Sequence, residues 1–197
     1  MKKAALLFAV VAVLFINPSI GFGQDNHNTS VDFLLGLGSE PAGDVGTGYG
    51  FGVGVSIPFN DIFDVSNPSG AAKDLMIRAD LSYFSWEGDA DTPFFSVDEE
   101  LTRIPIFVGL RYFAPADTIK VKGLGIYGEA GIELSFDDAE VKIGNIKESD
   151  SEINFGVPIG VGLQYYVSEK WYLGFNARYH IISDSYFTLA ASIGFNL

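Results

Sequence analysis

The 197-residue chain contains no cysteine. That excludes a disulfide framework, a thiol nucleophile, a lipidated N-terminal cysteine and every cysteine-based zinc or iron–sulfur site. Histidine is nearly as scarce, with only His27 and His180. Bases are few as well: 12 Lys and Arg stand against 25 Asp and Glu. Nucleic acid is therefore not expected as a partner, because phosphate binding needs a basic footprint. The N-terminal apolar run, Ala4 to Ile16, falls short of the ~20 residues that a spanning helix requires.

That run follows Lys2 and Lys3 and precedes Pro18, Gly21 and Gly23, the three-part layout of a secretory signal. Cleavage is expected between Gly23 and Gln24. Residues 1–23 are then a signal peptide, and residues 24–197 form one domain with no linker or low-complexity tract. The mature domain keeps all 25 acids but loses two of the 12 bases, so it is more acidic still.

What the chain does have is alternation. From Phe155 to Val167, Phe155, Val157, Ile159, Val161, Leu163, Tyr165 and Val167 share one face, opposed by Gly156, Pro158, Gly160, Gly162, Gln164 and Tyr166. After Ser168-Glu169-Lys170, Trp171, Leu173, Phe175, Ala177, Tyr179 and Ile181 oppose Tyr172, Gly174, Asn176, Arg178 and His180; Phe187 to Leu197 continue the pattern. A period of two means strand. A large apolar face backed by glycine, amide and arginine is the pattern of a transmembrane β-barrel, apolar outward and polar inward. Five further strands read as Val31–Gly38, Gly48–Phe59, Asp74–Trp86, Leu101–Phe113 and Ile119–Phe136. The expected fold is all-β, an eight-stranded antiparallel up-and-down transmembrane β-barrel. A lipocalin-like barrel is the competing arrangement, but its outer face should be rich in Lys, Glu and Thr, and the second face here is mostly Gly, Ser and Asn.

Two acidic clusters, Asp89, Asp91, Asp98, Glu99 and Glu100, and Asp137, Asp138, Glu140, Glu148, Asp150 and Glu152, read as solvated loops between strands. If the mature chain starts in the periplasm, both lie outside the cell. Neither has the Asp-x-Asp-x-Asp-Gly spacing of a specific Ca²⁺ loop. Aromatics at strand ends predict two interfacial girdles: Phe59, Phe113, Tyr165, Tyr166, Trp171, Tyr172 and Phe195 at one, and Tyr83, Phe84, Trp86, Phe136, Tyr186 and Phe187 at the other. Pro105 and Pro158 fall inside strands, where each removes a ladder donor, so bulges or slack pairing are expected there.

The inward register collects Asp32, Arg78, Asp80, Arg103, Arg111, Glu129, Glu133 and Arg178, four arginines and four carboxylates. An eight-stranded barrel is only wide enough for side chains to fill it. The expectation is a salt-bridge plug, with a narrow polar pore as the alternative. Gly48-Tyr49-Gly50-Phe51-Gly52 is not followed by a helix, so its glycines are lumen-facing small residues and not a phosphate loop.

Ile104-Pro105-Ile106-Phe107-Val108-Gly109-Leu110-Arg111-Tyr112-Phe113 and Gly156-Val157-Pro158-Ile159-Gly160-Val161-Gly162-Leu163-Gln164-Tyr165-Tyr166, followed by Ala177-Arg178-Tyr179, resemble strands of small "porin family" outer-membrane barrels of Bacteroidetes-type bacteria. The resemblance spans the mature chain and implies the outer membrane, with outer-membrane lipid and the barrel assembly machinery as partners. Such barrels usually end in an aromatic, whereas this chain ends in Leu197 with Phe195 two places earlier. His180 and Ser183 are faintly similar to the pair used by outer-membrane lipid A deacylases. That family spaces them two apart, and here they are three apart, on opposite faces. The expectation is a monomeric barrel that is structural or makes surface contacts, without catalytic chemistry, cofactor or metal; a narrow solute channel and a lipid-modifying enzyme are the rivals.

Overall fold

The computed structural model describes residues 28–39, 47–63, 70–91, 96–115, 118–119, 121, 123–143 and 146–197; the expected signal peptide lies outside them. Eight strands, β1 (Ser30–Gly38), β2 (Gly48–Pro58), β3 (Leu75–Asp91), β4 (Ser96–Phe113), β5 (Leu124–Ile143), β6 (Ile146–Tyr166), β7 (Trp171–Ile181) and β8 (Tyr186–Asn196), form one closed antiparallel barrel in sequence order. Closure is made by β1 and β8, in register from Ser30↔Asn196 to Gly38↔Thr188. A helical turn, Phe59–Phe63, and a 3-10 turn, Gly70–Asp74, join β2 to β3.

Burial settles which face points where. Leu35, Phe51 and Val161 are 71%, 60% and 63% exposed, whereas Arg78 and Glu133 on the opposite register are each 1% exposed. The apolar residues therefore coat the outside, and the lipocalin arrangement is excluded. Among the described residues no helix is long and apolar enough to cross a membrane; the crossing is made by strands.

The tips differ from the sequence reading. β3 runs on to Asp91, β4 begins at Ser96, β5 reaches Ile143 and β6 begins at Ile146. Both acidic clusters thus sit in strands and not in loops. The register β4–β5 continues to Val97↔Ile143 and β5–β6 to Ile143↔Ile146. By contrast, β2–β3 pairing stops at Tyr49↔Ser85 and β6–β7 pairing at Val157↔Ile181. Four strands therefore rise beyond the rim as a free-standing sheet. There both faces meet water, so the apolar alternation vanishes while the backbone ladder continues. At the other end, β5 starts at Leu124 and not at Ile119. Gly123 ends that connection with φ of 79°, a conformation that L side chains resist, and its carbonyl accepts from the Tyr166 amide at 2.7 Å.

Both strand prolines leave a gap in one ladder. β3–β4 pairing skips from Leu81↔Ile106 to Phe84↔Arg103, and β5–β6 skips from Ala130↔Ile159 to Glu133↔Gly156. The register is the same on either side of each gap, so no residue is inserted and neither site is a bulge. The other ladder of each strand runs through unbroken, at Pro105↔Ser135 and Pro158↔His180.

Candidate functional site: the charged lumen

Strand parity aims every even-numbered residue of β1 and every odd-numbered residue of β5 into the barrel, and this brings the charged side chains together. Arg78 meets Asp32 through two parallel bonds, Nη1–Oδ2 at 2.6 Å and Nη2–Oδ1 at 2.7 Å, the bidentate geometry that suits a guanidinium. Its Nη1 also donates to Ser56 Oγ at 3.2 Å and its Nε to Asp80 Oδ2 at 3.3 Å. Arg178 spans the lumen from β7. It donates to both oxygens of Asp80 on β3, at 3.1 and 2.9 Å, and to Glu129 Oε1 on β5, at 2.9 and 2.6 Å. Arg111 holds the other Glu129 oxygen at 3.1 and 2.8 Å. Six of the eight expected residues thus form one continuous network of three arginines and three carboxylates, neutral as a unit.

The remaining two, Arg103 and Glu133, take partners that the sequence reading did not include. Arg103 pairs with Asp137 through Nε–Oδ1 at 2.9 Å and Nη2–Oδ2 at 2.8 Å. Asp137 also accepts from Ser135 Oγ, and from Asn154 Nδ2 at 2.9 Å. Glu133 lies 2.6 Å from His180 Nδ1 and accepts from the Tyr186 hydroxyl at 3.3 Å. His180 Nε2 lies 3.0 Å from Thr188 Oγ1. Asp137 belongs to the expected acidic loop by composition, but by parity it continues the Glu129–Glu133 face. Tyr172 donates to Asp32 Oδ2 at 2.8 Å and Asn176 to Glu129 Oε1 at 2.9 Å, so two of the three central carboxylates are also held by a neutral donor.

Two aromatic lids close the network, a correction to the expected girdles. Phe84, Trp86, Phe113, Tyr172 and Tyr186 are buried, and only Tyr83, Phe136, Tyr165, Trp171, Phe187 and Phe195 keep the outward register. At the hairpin end Trp86 stacks on Phe84, meets Tyr186 edge-on and donates from Nε1 to Gly38 O at 3.0 Å; Ile182 and Leu101 pack against them. At the opposite end Met76, Phe113 and Tyr127 cluster. Arginines lie over three of the rings: Arg103 over Tyr186, Arg111 over Tyr127 and Arg178 over Phe107, the last at 4.1 Å. The glycines face these groups. A Cβ on Gly48 would strike the Trp86 indole, and one on Gly54 the Arg78 guanidinium.

Beside the network lies a cavity of about 30 Å³ bordered by Asp32, Gly36, Gly50, Ser82, His180 and Thr188, room for about one or two waters. Thr188, His180 and Glu133 lie in the order hydroxyl, imidazole, carboxylate that nucleophilic catalysis uses, but all three are buried, and the space that His180 and Thr188 border is water-sized. Ser183 turns away and donates to Asn154 Oδ1 at 2.8 Å. Among the described residues no group of His, Asp and Glu is arranged to hold a metal ion.

An apolar outer surface around a charged, side-chain-filled lumen defines a transmembrane β-barrel, here with an extramembrane sheet at one end. The family model for the outer membrane protein beta-barrel domain matches residues 9–197. The chain belongs to that family and is a protein of the outer membrane. Similar solved structures include OprG from Pseudomonas aeruginosa, at TM-score 0.56 and 10% identity over 89% of this chain and 99% of that one. Ail, the attachment invasion locus protein of Yersinia pestis, aligns at TM-score 0.52 and 14% identity over 86% and 97%. Neisserial surface protein A aligns at TM-score 0.50 and 18% identity over 86% and 96%. At these identities the likeness is one of fold. No curated protein sequence matches the chain.

Proposed function

We propose that the protein is a closed, non-catalytic outer-membrane barrel that presents an acidic β-sheet outside the cell for surface contacts. The observation that carries this reading is the cross-lumen bridge of Arg178 to Asp80 and Glu129, sealed between the Trp86 and Phe113 clusters. A lumen filled in this way argues against passage of a solute and against a substrate site. The β3–β4 and β5–β6 hairpins extend furthest from one rim, which fits an extracellular side; the connection of residues 59–74 at the other end is long for a periplasmic turn. On the protruding sheet Glu87 lies opposite Glu100, and Glu100 opposite Glu140. Like charges placed directly across a ladder destabilise it, so a cationic partner would relieve them. Export by a cleaved signal covering residues 1–23, insertion by the barrel assembly machinery and a monomeric state complete the proposal.

Two measurements test it. Purified protein in planar bilayers should give no discrete openings, and cells bearing it should bind polylysine-coated surfaces more than cells with Glu87, Glu100 and Glu140 changed to Gln. Regular openings would favour the narrow channel instead, and equal binding by both cell types would refute the surface role.

A further inference from the structure

A closed barrel has no sheet edges, yet this one keeps a long edge above its rim. β6 pairs with β5 along its full extramembrane length, from Ile143↔Ile146 to Glu133↔Gly156, but meets β7 only from Val157↔Ile181 onward. Among the described residues no strand lies on the other flank of Ile146–Gly156. The base of that flank is occupied, since Ser183 bonds Asn154 and a Cβ on Gly156 would lie 3.1 Å from Ile182. The open stretch is therefore Ile146 to Ile153. Within it the Ser151 amide donates to Asp150 Oδ1 at 2.9 Å, a bond inside the strand's own chain, of the kind made where no neighbouring strand competes. Ladder groups alternate along an antiparallel strand, so Lys147, Ser149, Ser151 and Ile153 turn their backbone groups to the open flank.

We infer that this flank of β6 is a docking edge that takes a cationic, extended segment of another protein as an added strand. The inference rests on the surface-contact reading above and supplies its partner class and geometry. Strand addition gives affinity through main-chain hydrogen bonds and specificity through alternate side chains. Here the alternate positions Glu148, Asp150 and Glu152 share one face and are exposed; Asp138 and Glu140, paired with Ser151 and Ser149, lie on the opposite face. A partner with Lys or Arg at every second position meets three carboxylates in a row. A second copy of this chain is the poorer occupant. Antiparallel pairing about Ser149 would set Glu148 against Asp150 twice, and like charges directly opposite are unfavourable.

The test uses the full barrel in detergent micelles and a fluorescent peptide of alternating lysine and valine. Its comparators are an alternating glutamate–valine peptide and the lysine peptide methylated on every second backbone nitrogen. The lysine peptide should bind, weaken with added salt, and lose about tenfold in affinity or more on backbone methylation. Ser149→Pro should cause a similar loss, because proline removes an edge donor that the β5 ladder does not use; a preserved heat shift on gels shows that this variant folds. Binding that is indifferent to methylation and to Ser149→Pro overturns the docking edge while leaving the acidic surface reading intact. No binding of the lysine peptide overturns both. Self-association abolished by Ser149→Pro, without peptide binding, overturns the inference in favour of a second copy.

Discussion

Replacing Arg178 by Met removes the group that ties β7 to β3 and β5, while keeping most of the apolar stem that lies on Phe107. The two carboxylates lose unequally. Glu129 keeps Arg111 and Asn176, whereas Asp80 is left with Arg78 Nε at 3.3 Å. Stranding one member of a buried pair costs about 3–5 kcal/mol, and here nearly all of it falls on Asp80. With a urea dependence of about 2 kcal/mol/M the unfolding midpoint should drop by roughly 2 M. The assay is urea titration of protein folded in lipid vesicles, with the folded fraction read from unboiled gels. Adding Asp80→Asn to Arg178→Met should restore about half of the loss, because it removes the stranded charge, and the double-mutant cycle isolates the coupling. A midpoint unchanged in Arg178→Met, or a double variant weaker than the single one, would refute the claim that the network holds the barrel together.

Trp86→Ala should cost about 3–5 kcal/mol by the same titration, since removing a fully buried indole leaves a cavity and takes away its bond to the Gly38 carbonyl. Gly54→Ala should cost about 1–3 kcal/mol, because its methyl displaces Arg78 from Asp32; no change would mean that the arginine is loosely held. His180→Ala should leave the lipid A profile of expressing cells unchanged by mass spectrometry while lowering the urea midpoint, because the imidazole pairs with a buried carboxylate and faces the lumen. A changed profile would reopen the lipid-modifying reading.

The strands that cross the bilayer were legible because lipid on one side and lumen on the other write a period of two into the chain. β7 is read to its residue limits, and β1, β2 and β8 to within a residue or so, for that reason. The same physics hid the hairpin tips. From Asp137 to Ile143, and from Ile146 to Asn154, the bilayer no longer selects apolar residues, so strand and loop have the same composition. Parity named the eight charged lumen residues but not their partners, because pairing across a closed barrel depends on height and strand tilt. It also separates Trp171 from Tyr172 and Phe187 from Tyr186, neighbours in sequence that face lipid and lumen respectively. Reading aromatics by strand end and not by parity therefore put the lids into the girdles.

The central claim is that paired charges and two aromatic lids close the lumen. Single-channel recording of the purified protein in planar bilayers tests it most directly. The account predicts a flat current at voltages the membrane withstands. Stepwise openings whose size changes on charge reversal at Arg103 or Arg178 would contradict it, because they would place those arginines along a conducting path.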